Sequence, residues 1–249
     1  ERSALAASGM SAERLDDRSL RHGSGSALAA AAKAVPSPLW LTEHEGAPSR
    51  LVAAASRHCY GGRITSRTLP DPSVGPSFEW REVSGECVAA PGTSYVNREE
   101  AYRTVVVVDE LDDRLPPERT IAVVAPTQPQ VALLRRLLGR RHDRGRVRIG
   151  GPGVLAEVDG AVDVTVLSPM LSTGAPTDAE RQVRRMGYLW SSVLTRTRQR
   201  LVVVGDRSYW SGVEGPLGDL DAEENGPHPL TLDPATVALL EKLRAVGTS

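Results

Sequence analysis

Three short, mostly aliphatic runs constrain the fold of this 249-residue chain more than any other feature. The runs are TIAVVA at 120–125, VDVTVL at 162–167 and LVVV at 201–204. An apolar run of this length is typical of a strand that is buried on both faces. Helical patterns separate the runs, and this alternation predicts an α/β fold with a mostly parallel sheet covered by helices on both faces.

Local signals place the other elements. The sequence predicts helices over 24–34, 48–60, 98–111, 130–141 and 234–246, and one more that ends near Arg198. Asn97 is a candidate N-cap, because its side chain can accept a hydrogen bond from the first turn of the helix that follows. Short strands are expected at 39–42 and 147–149. The stretch 63–93 is rich in Pro, Gly and Ser, and it predicts a loop-rich excursion across the surface, with short extended segments such as 78–83.

Composition is that of an ordinary globular protein, with 40% apolar and 24% charged residues. The formal net charge of -1 provides no global basic field that would attract nucleic acid, so any such binding would depend on a local patch. Cys59 and Cys87 lack metal-ligand spacing and favour a reducing, cytoplasmic compartment. No apolar run approaches the length of a membrane span, so a membrane partner is not expected.

The organisation along the chain suggests three parts. Residues 1–35 are interpreted as a helical lead-in from a preceding domain, 36–210 as the main domain, and 211–249 as an acidic Gly/Pro-rich tail with a closing helix. The first residues, Glu1-Arg2-Ser3, have no signal-peptide pattern. We interpret the chain as part of a longer protein.

Several catalytic motifs are missing from the sequence. A P-loop needs a lysine within GxxxxGK[ST], and neither Lys33 nor Lys242 follows a glycine, so the chain lacks its own Walker A motif. The glycines at 150–153 follow a predicted strand, but Pro152 removes an amide donor, and a turn is the preferred interpretation. An acidic cluster at 109–113 is interpreted as a solvated helix end, and no metal site is expected.

The segment Leu189–Asp206 carries the strongest functional signal. It reads LWSSVLTRTRQRLVVVGD, in which Arg196 and Arg198 lie where a helix meets a buried strand. A guanidinium offers a permanent charge and a planar set of donors that can bind a phosphate. The alternative is that both arginines solvate the helix end and pair with carboxylates.

Taken in order, several segments resemble the second RecA-like domain of superfamily 1 helicases, in the branch of RNA-decay and DNA-replication helicases. The resemblance covers roughly residues 36–210, and its segments are LTEH at 41–44 with Pro48, SRHCYGGR at 56–63, SYVNREEA at 94–101, VAP at 124–126 with Gln130, and 189–206. The last segment is similar to the family's arginine-bearing motif, NVAVTRARxxLxxVGD.

This resemblance implies a RecA-like P-loop NTPase fold and half of an ATP-dependent helicase or translocase. ATP and Mg²⁺ would be held mainly by an N-terminal RecA-like partner domain that carries the Walker lysine. This chain would contribute arginines that stabilise charge on the transferring phosphate, with Arg198 as the first choice and Arg196 as the second. By the same resemblance, Gln130 and Glu43 would contact the nucleotide, and Thr127, Ser168 and Thr195 would contact single-stranded DNA or RNA.

The chain also departs from the family pattern. Glu45-Gly46 replaces Tyr-Arg, Thr127-Gln128 replaces an aromatic-Arg pair, and Val158-Asp159 replaces Gln-Gly in the coupling segment. Ser191-Ser192 stands where an Asn is expected before the arginine motif. Two functions are therefore considered: the C-terminal motor half of a helicase or translocase, or a degenerate, non-catalytic module that binds nucleic acid or protein.

Overall fold

The computed structural model describes residues 30–31, 34–35, 37, 39–68, 76–92, 94–139, 145–156 and 162–225. From Thr42 onward, the described residues belong to one compact unit. Its strands are β1 (Glu43–Pro48), β2 (Thr65–Thr68), β3 (Phe78–Glu82), β4 (Cys87–Ala90), β5 (Ser94–Asn97), β6 (Ile121–Val124), β7 (Val147–Gly150), β8 (Val162–Leu167) and β9 (Thr197–Gly205). Its α-helices are α1 (Ser49–Cys59), α2 (Arg98–Arg114), α3 (Gln128–Leu138), α4 (Thr177–Arg184), α5 (Gly187–Arg196), α6 (Arg207–Ser211) and α7 (Pro216–Asn225). A short 3-10 helix spans Pro152–Leu155.

The central sheet has the strand order β3-β9-β8-β6-β7 among the described residues, and every neighbouring pair is parallel. This confirms the predicted α/β class and parallel sheet. The three aliphatic runs form the three inner strands, where both faces of each strand are shielded from water. Their mostly apolar sequence follows from that position.

Helices cover both faces of the sheet. Successive strand residues point to opposite faces, so Val123 and Val202 pack with α2 and α3, whereas Ala122 and Leu201 pack with α1, α4 and α5. Two separate hydrophobic clusters result, one on each side. The three-layer arrangement exposes only the two ends of the sheet, where strands and helices are joined.

The edge strand β3 was not predicted as part of the sheet. The sequence analysis assigned 78–83 to a surface excursion, but Phe78 and Trp80 are buried and β3 pairs in register with β9 from Leu201 to Gly205. The Trp80 indole also donates a hydrogen bond to the Gly205 carbonyl oxygen, 3.0 Å away. The pairing depends on a strand more than 100 positions later, so the Pro- and Gly-rich flanks obscured it.

The strand expected at 39–42 was also misplaced. Residues 39–42 have no regular secondary structure, and β1 begins at Glu43. It pairs in parallel with β2, while β4 and β5 form an antiparallel pair.

Side-chain caps set the starts of α2 and α3, and the sequence predicts the first of these caps, Asn97. The Asn97 side chain accepts a hydrogen bond from the Glu100 amide, 3.1 Å away, and α2 follows directly. Thr127 caps α3 in the same way, through the Gln130 amide. Of the predicted terminal helices, positions 30, 31 and 34 are helical, and the closing helix at 234–246 lies outside the described residues.

Candidate functional site

The first candidate site is a corner cluster made of Glu43, His44, Thr195 and Arg196. β1 packs beside α5 and β9, and the His44 ring donates from Nε2 to the Thr195 carbonyl oxygen, 3.0 Å away. Fold topology thus brings the TEH segment at the start of β1 next to the TR segment at the end of α5. These segments lie 151 positions apart in the chain.

Arg196 is the exposed cation of the corner cluster. It is the last residue of α5, and it makes no ion pair with any residue that the structure describes. Its neighbours have protein partners, because the Thr195 hydroxyl donates to the Ser191 carbonyl oxygen at 2.7 Å and Glu43 accepts from Arg67 at 2.6 Å. The guanidinium of Arg196 is therefore available to an anion that approaches this corner.

Arg198 lies in a different environment. It is the second residue of β9, and α5 ends two residues earlier, because Thr197 adopts an extended backbone conformation. The Arg198 side chain is 46% exposed, and one of its terminal nitrogens lies 3.9 Å from Asp163 Oδ1. This loose pairing directs Arg198 along the sheet toward β8.

Asp163, near the start of β8, links this strand to the residues that precede β6. Its carboxylate accepts hydrogen bonds from the Thr120 amide and hydroxyl, both at 2.9 Å, and from Arg119 at 3.2 Å. Both Asp163 and Arg198 lie at the amino ends of their strands. Ligands of open α/β sheets bind at the carboxyl ends of the strands, so the arginines are expected there. That expected placement is wrong, because a helix that leads into a strand meets the first residue of that strand.

The second candidate site is a buried polar cluster at the opposite, carboxyl end of the sheet. It consists of Asn97, Glu100, Thr127, Gln130 and Ser168, all of them almost completely buried. The Gln130 amide accepts from the Asn97 backbone N–H and donates to the Asn97 carbonyl oxygen, both at 2.9 Å. It also donates to Ser168 Oγ at 3.0 Å. The amide of Gln130 is therefore fully occupied by protein groups.

The two hydroxyls of this cluster are occupied as well. Thr127 donates to the Tyr95 carbonyl oxygen at 2.8 Å, and Ser168 donates to Glu100 Oε1 at 2.5 Å. The cluster joins the ends of β5, β6 and β8 to the first turns of α2 and α3. The hydrogen bonds of the cluster hold these elements together, and its two hydroxyls face the protein interior.

Glu100 is the titratable member of the buried polar cluster. Burial raises its pKa to about 8, although hydrogen bonds from the Ser168 hydroxyl and the Met170 amide oppose the shift. The second carboxyl oxygen, Oε2, has no hydrogen-bond partner among the described residues. Met170 adopts a left-handed backbone conformation with φ of 73°, which aims its amide at Glu100 Oε1, 2.7 Å away.

The predicted site residues thus form two groups rather than one. At the amino side, His44 contacts Thr195, which places Glu43 and Arg196 near the same corner, and Arg198 lies two residues after Arg196. Thr127, Gln130 and Ser168 meet inside the carboxyl side. From the sequence, Glu99 and Glu100 in the first turn of α2 are expected only to interact favourably with the helix dipole. The central position of Glu100 in the buried polar cluster was therefore not predicted. Its regular spacing with buried apolar residues of α2 was the available signal.

The remaining motif candidates have structural explanations. β7 ends at Gly150, and the Gly150–Gly153 segment leads into the 3-10 helix, as expected for a turn. In the acidic cluster, Asp112 pairs with Arg146 at 3.2 Å. The described part of the chain contains no group of three or more His, Cys, Asp or Glu residues arranged to hold a metal ion.

Comparison with known proteins adds no relatives. The chain matches no protein-family model, and a search of curated proteins finds no significant match. The structure itself defines an α/β protein with a five-stranded parallel sheet, counted over the described residues, and flanking helices. No helix in the described ranges is long and apolar enough to cross a membrane.

Proposed function

We propose that this chain is the C-terminal motor half of an ATP-dependent superfamily 1 helicase or translocase. In this role it adopts a RecA-like fold. An N-terminal RecA-like domain holds ATP and Mg²⁺, and this chain supplies an arginine that contacts the phosphate of that ATP. The observation that carries the proposal is the convergence of the TEH and TR segments in the corner cluster. Two segments that resemble one family in sequence, and are distant in the chain, are in hydrogen-bonding contact.

The geometry favours Arg196 over Arg198 as the arginine that contacts the phosphate. Arg196 is exposed at a helix end and has no ion pair among the described residues, whereas Arg198 lies near the carboxylate of Asp163. A carboxylate next to a guanidinium competes with a phosphate for the same donors. This order of preference reverses that of the sequence analysis.

The corner cluster is also suited to contact a nucleotide that a neighbouring domain holds. Its four residues come from the start of β1 and the end of α5. Helix α5 is fixed by the hydrophobic core on its side of the sheet, and β1 packs beside α5 and β9. A partner domain that carries the Walker lysine would place its nucleotide against this rigid edge. Pre-positioned charge of this kind stabilises a transition state without reorganisation.

A second function, that of a non-catalytic helicase-like module, is favoured by a different observation. Gln130, Thr127 and Ser168 are buried and bonded to protein groups, and Gly46 stands where the family has an arginine. These features preserve architecture while removing groups that contact ATP or a nucleic-acid strand. Such a module would bind nucleic acid or protein without ATP turnover.

ATP hydrolysis by the protein that joins this chain to its Walker-A-bearing domain distinguishes the two functions. Single-stranded DNA or RNA should stimulate turnover, and Arg196→Ala should reduce kcat by roughly 10³-fold, the order expected for an arginine finger. Arg136→Ala, at an exposed position on α3, is the matched control. Equal rates for Arg196→Ala and the unmodified protein would contradict the motor function.

A binding measurement completes the test. Fluorescence anisotropy with labelled single-stranded DNA and RNA would detect strand binding with and without a non-hydrolysable ATP analogue. Binding that responds to the analogue supports the motor half. Strand binding of equal affinity with and without the analogue, together with no ATP turnover, supports the non-catalytic module.

A further inference from the structure

A cavity of about 570 Å³ lies on the α5 side of the sheet, away from both sites described above. Its walls come from α4, the first turn of α5, the end of α6, the first turn of α7 and the end of α1. The cavity is as large as many small-molecule sites, which typically span several hundred cubic ångströms. Gly187 in its wall and Arg196 in the corner cluster are opposite ends of α5, roughly 14 Å apart at 1.5 Å per residue.

One side of the cavity is cationic. Arg181, Arg184 and Arg185 line it, and of these Arg181 is paired with Asp178 at 2.8 Å. Arg184 and Arg185 make no ion pair with the described residues. Two guanidiniums on adjacent residues can bind one phosphate or carboxylate with several charge-assisted hydrogen bonds.

The wall carries two carboxylates against three arginines, so these five residues together have a formal charge of +1. Glu180 accepts a hydrogen bond from the Tyr209 hydroxyl at 2.9 Å, and Glu214 is the other wall carboxylate. Burial raises the pKa of the Cys59 thiol, so this wall residue adds no negative charge at neutral pH. The first turn of α7 lines the same cavity, and the amino end of a helix carries a partial positive charge.

The other side of the cavity is apolar and aromatic. It includes Trp190, Trp210 and Leu217, and the two indole rings meet edge to face with centroids 5.5 Å apart. The Trp210 indole N–H makes no hydrogen bond to the described residues. An apolar wall beside a pair of arginines suits a ligand that has a flat hydrophobic body and an anionic end.

We propose that this cavity binds an aromatic organic anion of mononucleotide size. Its phosphate or carboxylate contacts Arg184 and Arg185, and its ring lies against the apolar wall formed by Trp190 and Leu217. This site is independent of the motor function, because it shares no residue with the corner cluster.

Titration of the full chain with AMP, indole-3-acetate and adenosine tests the proposal, with calorimetry and tryptophan fluorescence as readouts. AMP represents the phosphate source, indole-3-acetate the carboxylate source, and adenosine the ring without an anion. Saturable binding of AMP or of indole-3-acetate, with adenosine at least about tenfold weaker, supports the site and identifies which anion it prefers. Each lost charged hydrogen bond is worth roughly this factor.

The double variant Arg184→Gln/Arg185→Gln should weaken that binding by about tenfold or more, whereas the exposed Arg136→Gln on α3 should leave it unchanged. Circular dichroism verifies that both variants are folded. Arg196→Ala should bind the anion like the unmodified chain, which separates this site from the motor site. The proposal is overturned if neither anion binds, or if the double variant binds as tightly as the unmodified chain.

Discussion

His44 donates a hydrogen bond to the Thr195 carbonyl oxygen, and this contact ties the start of β1 to the last turn of α5 at a distance of 3.0 Å. The carbonyl belongs to the end of a helix, where backbone acceptors lack partners within the helix. The imidazole therefore satisfies an acceptor and holds the helix end next to Arg196. Four predictions follow from this contact and from the buried groups of the sheet.

The first prediction concerns His44 itself. His44→Ala should lower the free energy of unfolding by about 1 kcal/mol, the usual value for a partly buried hydrogen bond. Urea unfolding monitored by circular dichroism provides the measurement. His44→Gln retains a side-chain donor and should recover part of the loss, and an unchanged unfolding midpoint in His44→Ala would contradict the role of the bond.

The second prediction concerns the Gln130 amide. Gln130→Leu removes both bonds to the Asn97 backbone and should destabilise the protein by roughly 2–4 kcal/mol, since the buried amide and carbonyl groups lose their partners. Gln128→Leu, in the exposed first turn of the same helix, should change stability by less than about 0.5 kcal/mol. Comparable losses in the two variants would show that the buried polar cluster is not structural.

The third prediction concerns pH and Glu100. Its pKa of about 8 in the folded protein exceeds the ordinary value of 4.5, so the folded state binds a proton that the unfolded state releases. This contribution to stability is complete below pH 4.5 and is lost as pH rises toward 8. Glu100→Gln has no such proton, so its stability relative to the unmodified chain should rise with pH, with a limiting slope of about 1.4 kcal/mol per pH unit.

Urea unfolding of both proteins at several values between pH 5 and pH 8 measures this difference. The matched variant Glu99→Gln, at the neighbouring exposed position of α2, should follow the pH dependence of the unmodified chain. A difference between Glu100→Gln and the unmodified chain that stays constant with pH would show that the Glu100 carboxyl is not protonated in the fold.

The fourth prediction tests the edge strand. Phe78 is the single phenylalanine of the chain and is fully buried in β3. Phe78→Ala should cost about 3–5 kcal/mol, because a large side chain leaves a cavity in the core. Tyr102→Ala, at an exposed position of α2, is the control, and thermal unfolding compares the two. If Phe78→Ala lowers the free energy of unfolding by less than about 1 kcal/mol, residues 78–82 do not form a buried edge strand and belong to a surface loop.

Local chemistry accounts for the elements that the sequence predicted correctly. The aliphatic runs are typical of strands buried on both faces, and Asn97 could start α2 because its side chain reaches the first-turn amide. The bounds of β8 agree with the predicted run at 162–167. These features depend on residues within a few positions of each other, so the sequence alone was sufficient.

Contacts between distant parts of the chain decided the remainder. Phe78 and Trp80 joined the sheet through β9, and Arg196 and Arg198 lay at the amino ends of the strands. Whether a polar residue such as Gln130 faces solvent or the interior depends on which groups surround it after folding. Burial and partner geometry are properties of the packed molecule, and for that reason only the tertiary structure separated the corner cluster from the buried polar cluster.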